Sequence, residues 1–132
     1  MTKYKAAALG LISILSLALL FHFVVLAGFI PYRNVWGGRL QSREEMVVFE
    51  TASILLNSLF LWAVLVKTGY LRNALSDRVP NFVLWAMVVL FALNTVGNLF
   101  AVQPLERYIA TPLTLLLSVL SLVVVRQTPK AV

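Results

Sequence analysis

Pro31-Tyr-Arg-Asn-Val-Trp-Gly-Gly-Arg-Leu-Gln-Ser-Arg-Glu-Glu45 is a polar stretch that runs straight into an apolar one, residues 46–66, broken only by Glu50, Thr51, Ser53, Asn57 and Ser58. The junction reads as a helix start. Ser42-Arg-Glu-Glu45 fits a capping box, in which the serine hydroxyl accepts from the backbone N–H three residues on and the glutamate reaches back. Glu44 and Glu45 also meet the positive end of the helix dipole. A helix is therefore predicted over 43–66, with Lys67-Thr-Gly-Tyr-Leu-Arg72 ending it and Gly69 as its stop.

Apolar runs of similar length lie on both sides. Residues 6–30 contain one strongly polar side chain, His22. At about 1.5 Å per residue this run reaches roughly 37 Å, more than the ~30 Å of a bilayer's hydrocarbon core. Lys3, Lys5 and the small-residue site at Val25-Leu-Ala27 raise a cleaved secretory signal as a rival, but signal cores are only about 7–15 residues long. A third helix is predicted over 80–102, opened by Pro80, whose missing N–H costs nothing in a first turn. Its polar positions are Asn81, Asn94, Thr95 and Asn98.

The fourth apolar run, 112–125, would reach only about 21 Å, too short to span. The helix is therefore expected over 105–126, starting near Pro104 or Leu105 and kinked at Pro112. The kink should free the carbonyl of Tyr108, which then needs a new partner. The expectation is an all-α membrane protein: one four-span domain over residues 1–132, folded as an antiparallel four-helix transmembrane bundle.

Composition makes the same demand. The 132 residues are 61% apolar and 12% charged, against about half and a quarter in soluble domains. A chain this small has too little interior to hide that surface from water, so its solvent is expected to be the lipid bilayer. The absence of cysteine excludes disulfides, thiolate metal sites and cysteine catalysis. The net charge is +6, but the basic residues are scattered through loops and tails. They form no patch, so no nucleic-acid partner is expected. The amino terminus, second loop and tail hold seven Lys and Arg, the first and third loops four. That bias places both termini in the cytoplasm of a plasma-membrane protein.

The residues able to carry chemistry gather toward the outer half. Glu50 lies about 10 Å along the helix from Arg43, and Ser53 and Asn57 share its face. Asn94 and Asn98 fall on one face of the third helix with Gly97 and Ala101, and His22 lies at comparable depth. Polar groups facing lipid are costly, so these faces should turn into the bundle or toward a partner. The functional expectation is an outward-opening pocket with Glu50 and His22 as its titratable pair and Asn57, Asn94, Asn98 and Ser53 around them. Arg39, Trp36, Glu106 and Arg107 form its rim, with Arg33 and the Gly37-Gly38 turn as cover. The competing role is packing. Asparagines and the stripe Thr111, Thr114, Ser118 and Ser121 can simply join helices, at about 1 kcal/mol or less each. Glu50 can likewise pair with Arg39 or Arg107 to staple the loop.

One histidine cannot build a zinc site, and no phosphate loop or nucleophile elbow is present, so no cofactor is expected. The leading expectation is a small-molecule or proton-linked binding or transport unit. Its rival is an accessory or assembly subunit of a larger membrane complex, and a third reading is a lipid-modifying enzyme. Self-association as a homo-oligomer, or a larger membrane partner, is expected in either of the first two.

Overall fold

The structure, a computed structural model, describes residues 2–127; the side chain of Glu106 and residues 128–132, Lys130 among them, lie outside the description. Four helices dominate: α1 Lys3–Leu26, α2 Arg43–Lys67, α3 Arg78–Leu99 and α4 Thr111–Val125. A π-helical turn, Glu106–Ala110, leads into α4. There is no strand among the described residues. All four helices are long and apolar enough to cross a membrane, the last one counted from Arg107.

Local chemistry explains the boundaries. α1 begins three residues earlier than the apolar run because the Thr2 hydroxyl caps it, accepting from the Lys5 N–H. It ends at Leu26 rather than near residue 30. Gly28 there adopts φ +88°, a left-handed conformation that glycine adopts at little cost. α2 begins as the capping box implies, with Ser42 Oγ accepting from the Glu45 N–H at 3.1 Å. The Glu45 carboxylate reaches one residue further back than in the standard box, accepting from the Gln41 N–H at 2.9 Å. Gly69, at φ +83°, lets Tyr70 and Leu71 return their N–H groups to the Leu65 carbonyl and close α2. α3 runs from Arg78 to Leu99 rather than 80–102.

The fourth helix departs from a simple kink. Pro112 has no N–H for the Tyr108 carbonyl, and the chain answers with the wider π-turn over Glu106–Ala110. Single π-turns are a usual way to absorb such a defect inside a helix.

The helices pack in a ring: α1 against α2, α2 against α3, α3 against α4 and α4 against α1, while α2 and α4 scarcely touch. The main core draws Leu11 and Leu15 from α1, Phe60 and Val64 from α2, Leu84 and Met87 from α3, and Val124 from α4. It lies where α1 begins and α2 ends. Gly10 lets α1 and α4 close up there, since a Cβ on it would stand 3.1 Å from Leu120 Cδ1. Tyr4 Oη donates to the Lys67 carbonyl at 3.1 Å, and Lys67 Nζ donates to Asn81 Oδ1 at 2.7 Å. These bonds tie the start of α1 to the end of α2, and that end to the start of α3.

A second, smaller apolar cluster sits at the opposite end. Val25, Val35, Leu40 and Met46 are buried together under the loop joining α1 to α2. Between the two clusters lies the one fully buried carboxylate among the described residues, Glu50.

Candidate functional site

Glu50 lies two turns into α2 on its inward face and is 0% exposed. A carboxylate out of water needs partners for both oxygens, and both are supplied. His22 Nδ1 lies 2.6 Å from Oε2, and Trp36 Nε1 donates to Oε1 at 2.8 Å. These bonds join the last third of α1, the first third of α2 and the loop between them. Charge-assisted bonds of this kind are the short, strong ones. The His22–Glu50 contact is the ion pair found among the described residues.

Trp36 reaches the carboxylate by an unusual route. It is the one non-glycine residue with positive φ among those described, at +54°, and Gly37 and Gly38 follow at +64° and +74°. For a bulky residue a left-handed backbone costs on the order of 1–3 kcal/mol and persists only where its surroundings compel it. Here the compulsion is visible: the indole N–H is held by Glu50 and the ring packs edge-on against Phe49, with centroids 5.3 Å apart. The turn is pinned from the far side by Gln103, whose Nε2 donates to the Gly37 carbonyl at 3.2 Å.

His22 forms a wall of a cleft of about 670 Å³ with Arg33, Asn34, Trp36 and Leu105. Its side chain is 15% exposed. With Glu50 ionised, the carboxylate can only accept, and Nδ1 then carries the proton between His22 and Glu50. Nε2 has no partner among the described residues, and the imidazole lines the cleft. A carboxylate that fixes the tautomer and orientation of an imidazole makes the distal nitrogen a good acceptor. Phe21 meets the imidazole edge-on with centroids 5.8 Å apart, and Trp36 lies 6.4 Å away on another side. The ring is thus held on several sides with one nitrogen available.

The remaining expected site residues divide. Asn57 donates to the Ser53 carbonyl of its own helix at 2.8 Å and is not in the cleft. Asn98 makes a long contact of 3.5 Å to Thr114 Oγ1, which also accepts from Thr95 Oγ1 at 2.9 Å. Asn98 therefore joins an α3–α4 seam at Thr114, which also lines the cleft. Asn94 is exposed and joins neither group. α3 turns Thr95, not Asn94, toward α4. Arg39 and Arg107 are exposed and do not line the cleft, and the Glu106 side chain lies outside the described residues. Glu50 takes His22 and Trp36 as partners in place of an arginine. Serines of α4 serve packing: Ser118 Oγ donates to the Val88 carbonyl at 2.8 Å and Ser121 Oγ to that of Leu117 at 2.6 Å.

Sequence reasoning placed Trp36 only at the rim and passed over Asn34 and Gln103. The available signal was the run Asn34-Val-Trp-Gly-Gly38, where two glycines after a tryptophan permit a left-handed turn able to aim an indole inward.

Among groups of three or more His, Cys, Asp or Glu, none among the described residues is placed to hold a metal ion. No protein-family model, no curated protein and no solved structure matches the chain.

Proposed function

We propose that this chain is an integral membrane protein that binds a small ligand in the cleft at the end of α1, with His22 as the contacting group and Glu50 as its buried anchor. One observation carries the reading. Both oxygens of a fully buried carboxylate are spent on holding one imidazole and one indole, and that imidazole lines a cavity with Nε2 unpaired among the described residues. Structural staples rarely need that. A carboxylate kept only for packing is often replaceable by an apolar side chain without loss. A proton bound at Nε2 or a ligand hydrogen bond there would be felt at Glu50 and Trp36, which makes proton-linked transport part of the same proposal.

The proposal includes an antiparallel bundle in the plasma membrane with both termini in the cytoplasm and the cleft in the outer half. The bonds from Tyr4 to Lys67 and from His22 to Glu50 support the antiparallel run of α1 and α2. The Lys and Arg bias supports the orientation. A cysteine placed at Ser76 should resist membrane-impermeant thiol reagents in intact cells; labelling from outside would reverse the topology.

Because His22 is the only histidine, acylation by diethyl pyrocarbonate reports on it alone. His22 is expected to react in the folded protein, and Glu50→Gln to slow the reaction by removing the carboxylate that enriches the ring. A histidine that reacts only after denaturation would overturn the reading.

The exposed Asn94 favours a second reading, an accessory subunit seated against a membrane partner, since an amide facing lipid is costly. Purification in mild detergent should then retain that partner, and a partner-free chain with normal cleft chemistry would count against it.

A further inference from the structure

The lining of the cleft carries two chemistries. Its polar part includes Arg33, Asn34, His22, Gln103 and Thr114. Arg33 has no carboxylate partner among the described residues; its guanidinium carbon lies 5.8 Å from the ring of its neighbour Tyr32. The apolar part of the lining includes Phe21, 45% exposed, which meets the His22 ring edge-on, and Leu105, 65% exposed, with Ala110. Phe21 belongs to α1, and Leu105 and Ala110 lead into α4. In the membrane proposed above, the exposed faces of Phe21 and Leu105 are available to acyl chains.

A ligand that satisfies both chemistries is amphipathic. Arg33 matches a phosphate, which guanidinium recognises with paired N–H donors. Nε2, held as an acceptor by the Glu50 contact at Nδ1, matches a hydroxyl donor. The volume, about 670 Å³, falls in the range of small-molecule sites, about 300–1,000 Å³. It suits a headgroup and the first part of a chain, leaving the rest in the bilayer. The geometry points to an anionic phospholipid with a hydroxylated headgroup as the ligand: phosphate at Arg33, hydroxyl at His22, one acyl chain leaving between Phe21 and Leu105. This inference rests on the cleft reading above and names its ligand class.

Trp36 lines the cleft and reports its occupancy. With Trp62 and Trp85 changed to Phe, Trp36 is the sole tryptophan, and bromine on an acyl chain quenches indole fluorescence on contact. The W62F/W85F protein is reconstituted in phosphatidylcholine bilayers with brominated phosphatidylglycerol, phosphatidic acid or phosphatidylcholine as the minor lipid. Phosphatidylglycerol is expected to quench Trp36 several-fold beyond its mole fraction. Arg33→Ala should abolish that excess, and His22→Ala should remove the preference over phosphatidic acid, which has no headgroup hydroxyl. Quenching that follows bulk mole fraction for all three lipids would overturn the proposal. So would a cleft in which glycerol 3-phosphate shields His22 from diethyl pyrocarbonate in detergent while no brominated lipid is enriched, since the ligand would then be a soluble phosphate ester. Acylation of His22 separates the two levels. A reactive His22 with no lipid enrichment ends the lipid assignment alone, whereas an inert His22 ends the cleft reading with it.

Discussion

The two ends of this bundle solve opposite problems with the same helices. Where α1 begins and α2 ends, Leu11, Leu15, Val64, Leu84 and Met87 fill the interior almost completely, and polar contacts sit at the edge. Where α1 ends and α2 begins, the interior is organised around a carboxylate, an imidazole and an indole, capped by a small apolar cluster and flanked by a cleft. The first end is what helices need in order to associate: close packing, with Gly10 permitting near approach. The second end spends stability. It buries a carboxyl group, bends a tryptophan backbone into the left-handed region and leaves a cavity open. Strain and a buried carboxyl group concentrated in one place support the proposal that this end holds the binding site.

Substitutions can break or sharpen that contrast. The largest effect is expected when the charged pair is split. His22→Ala leaves Glu50 buried with one of its two partners gone, which costs about 3–5 kcal/mol in comparable pairs. Replacing His22 and Glu50 together by Leu should cost less than His22→Ala alone, and cleft binding should be lost in both. Equilibrium unfolding in mixed detergent micelles would measure this. A double variant worse than the single one would contradict the description of the pair.

At the other end, Leu84→Ala opens a cavity at a fully buried position and should cost about 2–5 kcal/mol. Here the discriminating readout is the cleft. Stability should fall while diethyl pyrocarbonate still reaches His22 at the wild-type rate. A large change in that rate would show that the two ends are not separable.

Between these ends, the α3–α4 seam predicts a smaller effect. Ser118→Ala removes the bond to the Val88 carbonyl and should cost about 0.6 kcal/mol, the average for interhelical bonds in membranes. Smallest of all, Asn94→Ala and Gly97→Ala lie on open surface, and a Cβ on Gly97 meets nothing within 4 Å. Both should change the stability of the isolated chain by no more than about 0.5–1 kcal/mol, with the alanine at 97 favouring the helix. Loss of a co-purifying partner in either variant would identify that face as a contact.

Much of the fold was legible from the chain. Four apolar runs give four helices, and Ser42 with Glu45 announces the start of α2, because these signals are local and depend on neighbours within one turn. Helix ends were less legible. Thr2 and Gly28 shift α1 by several residues through a single hydroxyl and a single left-handed backbone, too brief to register in an apolar pattern. The π-turn before Pro112 was visible only as a freed carbonyl, since either a kink or a π-turn can answer it.

The site was legible by depth but not by direction. Helical spacing places His22, Glu50, Asn94 and Asn98 at similar heights. It does not say which way each helix is rotated against its neighbours. That rotation depends on packing over the whole ring, and it turns Thr95 inward at the expense of Asn94. Trp36 escaped for a different reason: its position depends on three successive positive φ angles, and only the two glycines of that turn are visible in the sequence.

Nitrogen NMR of the single histidine, with labelled imidazole in a membrane mimetic, tests the central claim most directly. The account predicts a proton on Nδ1, strongly shifted by the Glu50 carboxylate and returned toward an ordinary value in Glu50→Gln, with Nε2 responsive to cleft ligands. A bare Nδ1 with the proton resident on Nε2, unchanged by Glu50→Gln, would contradict it.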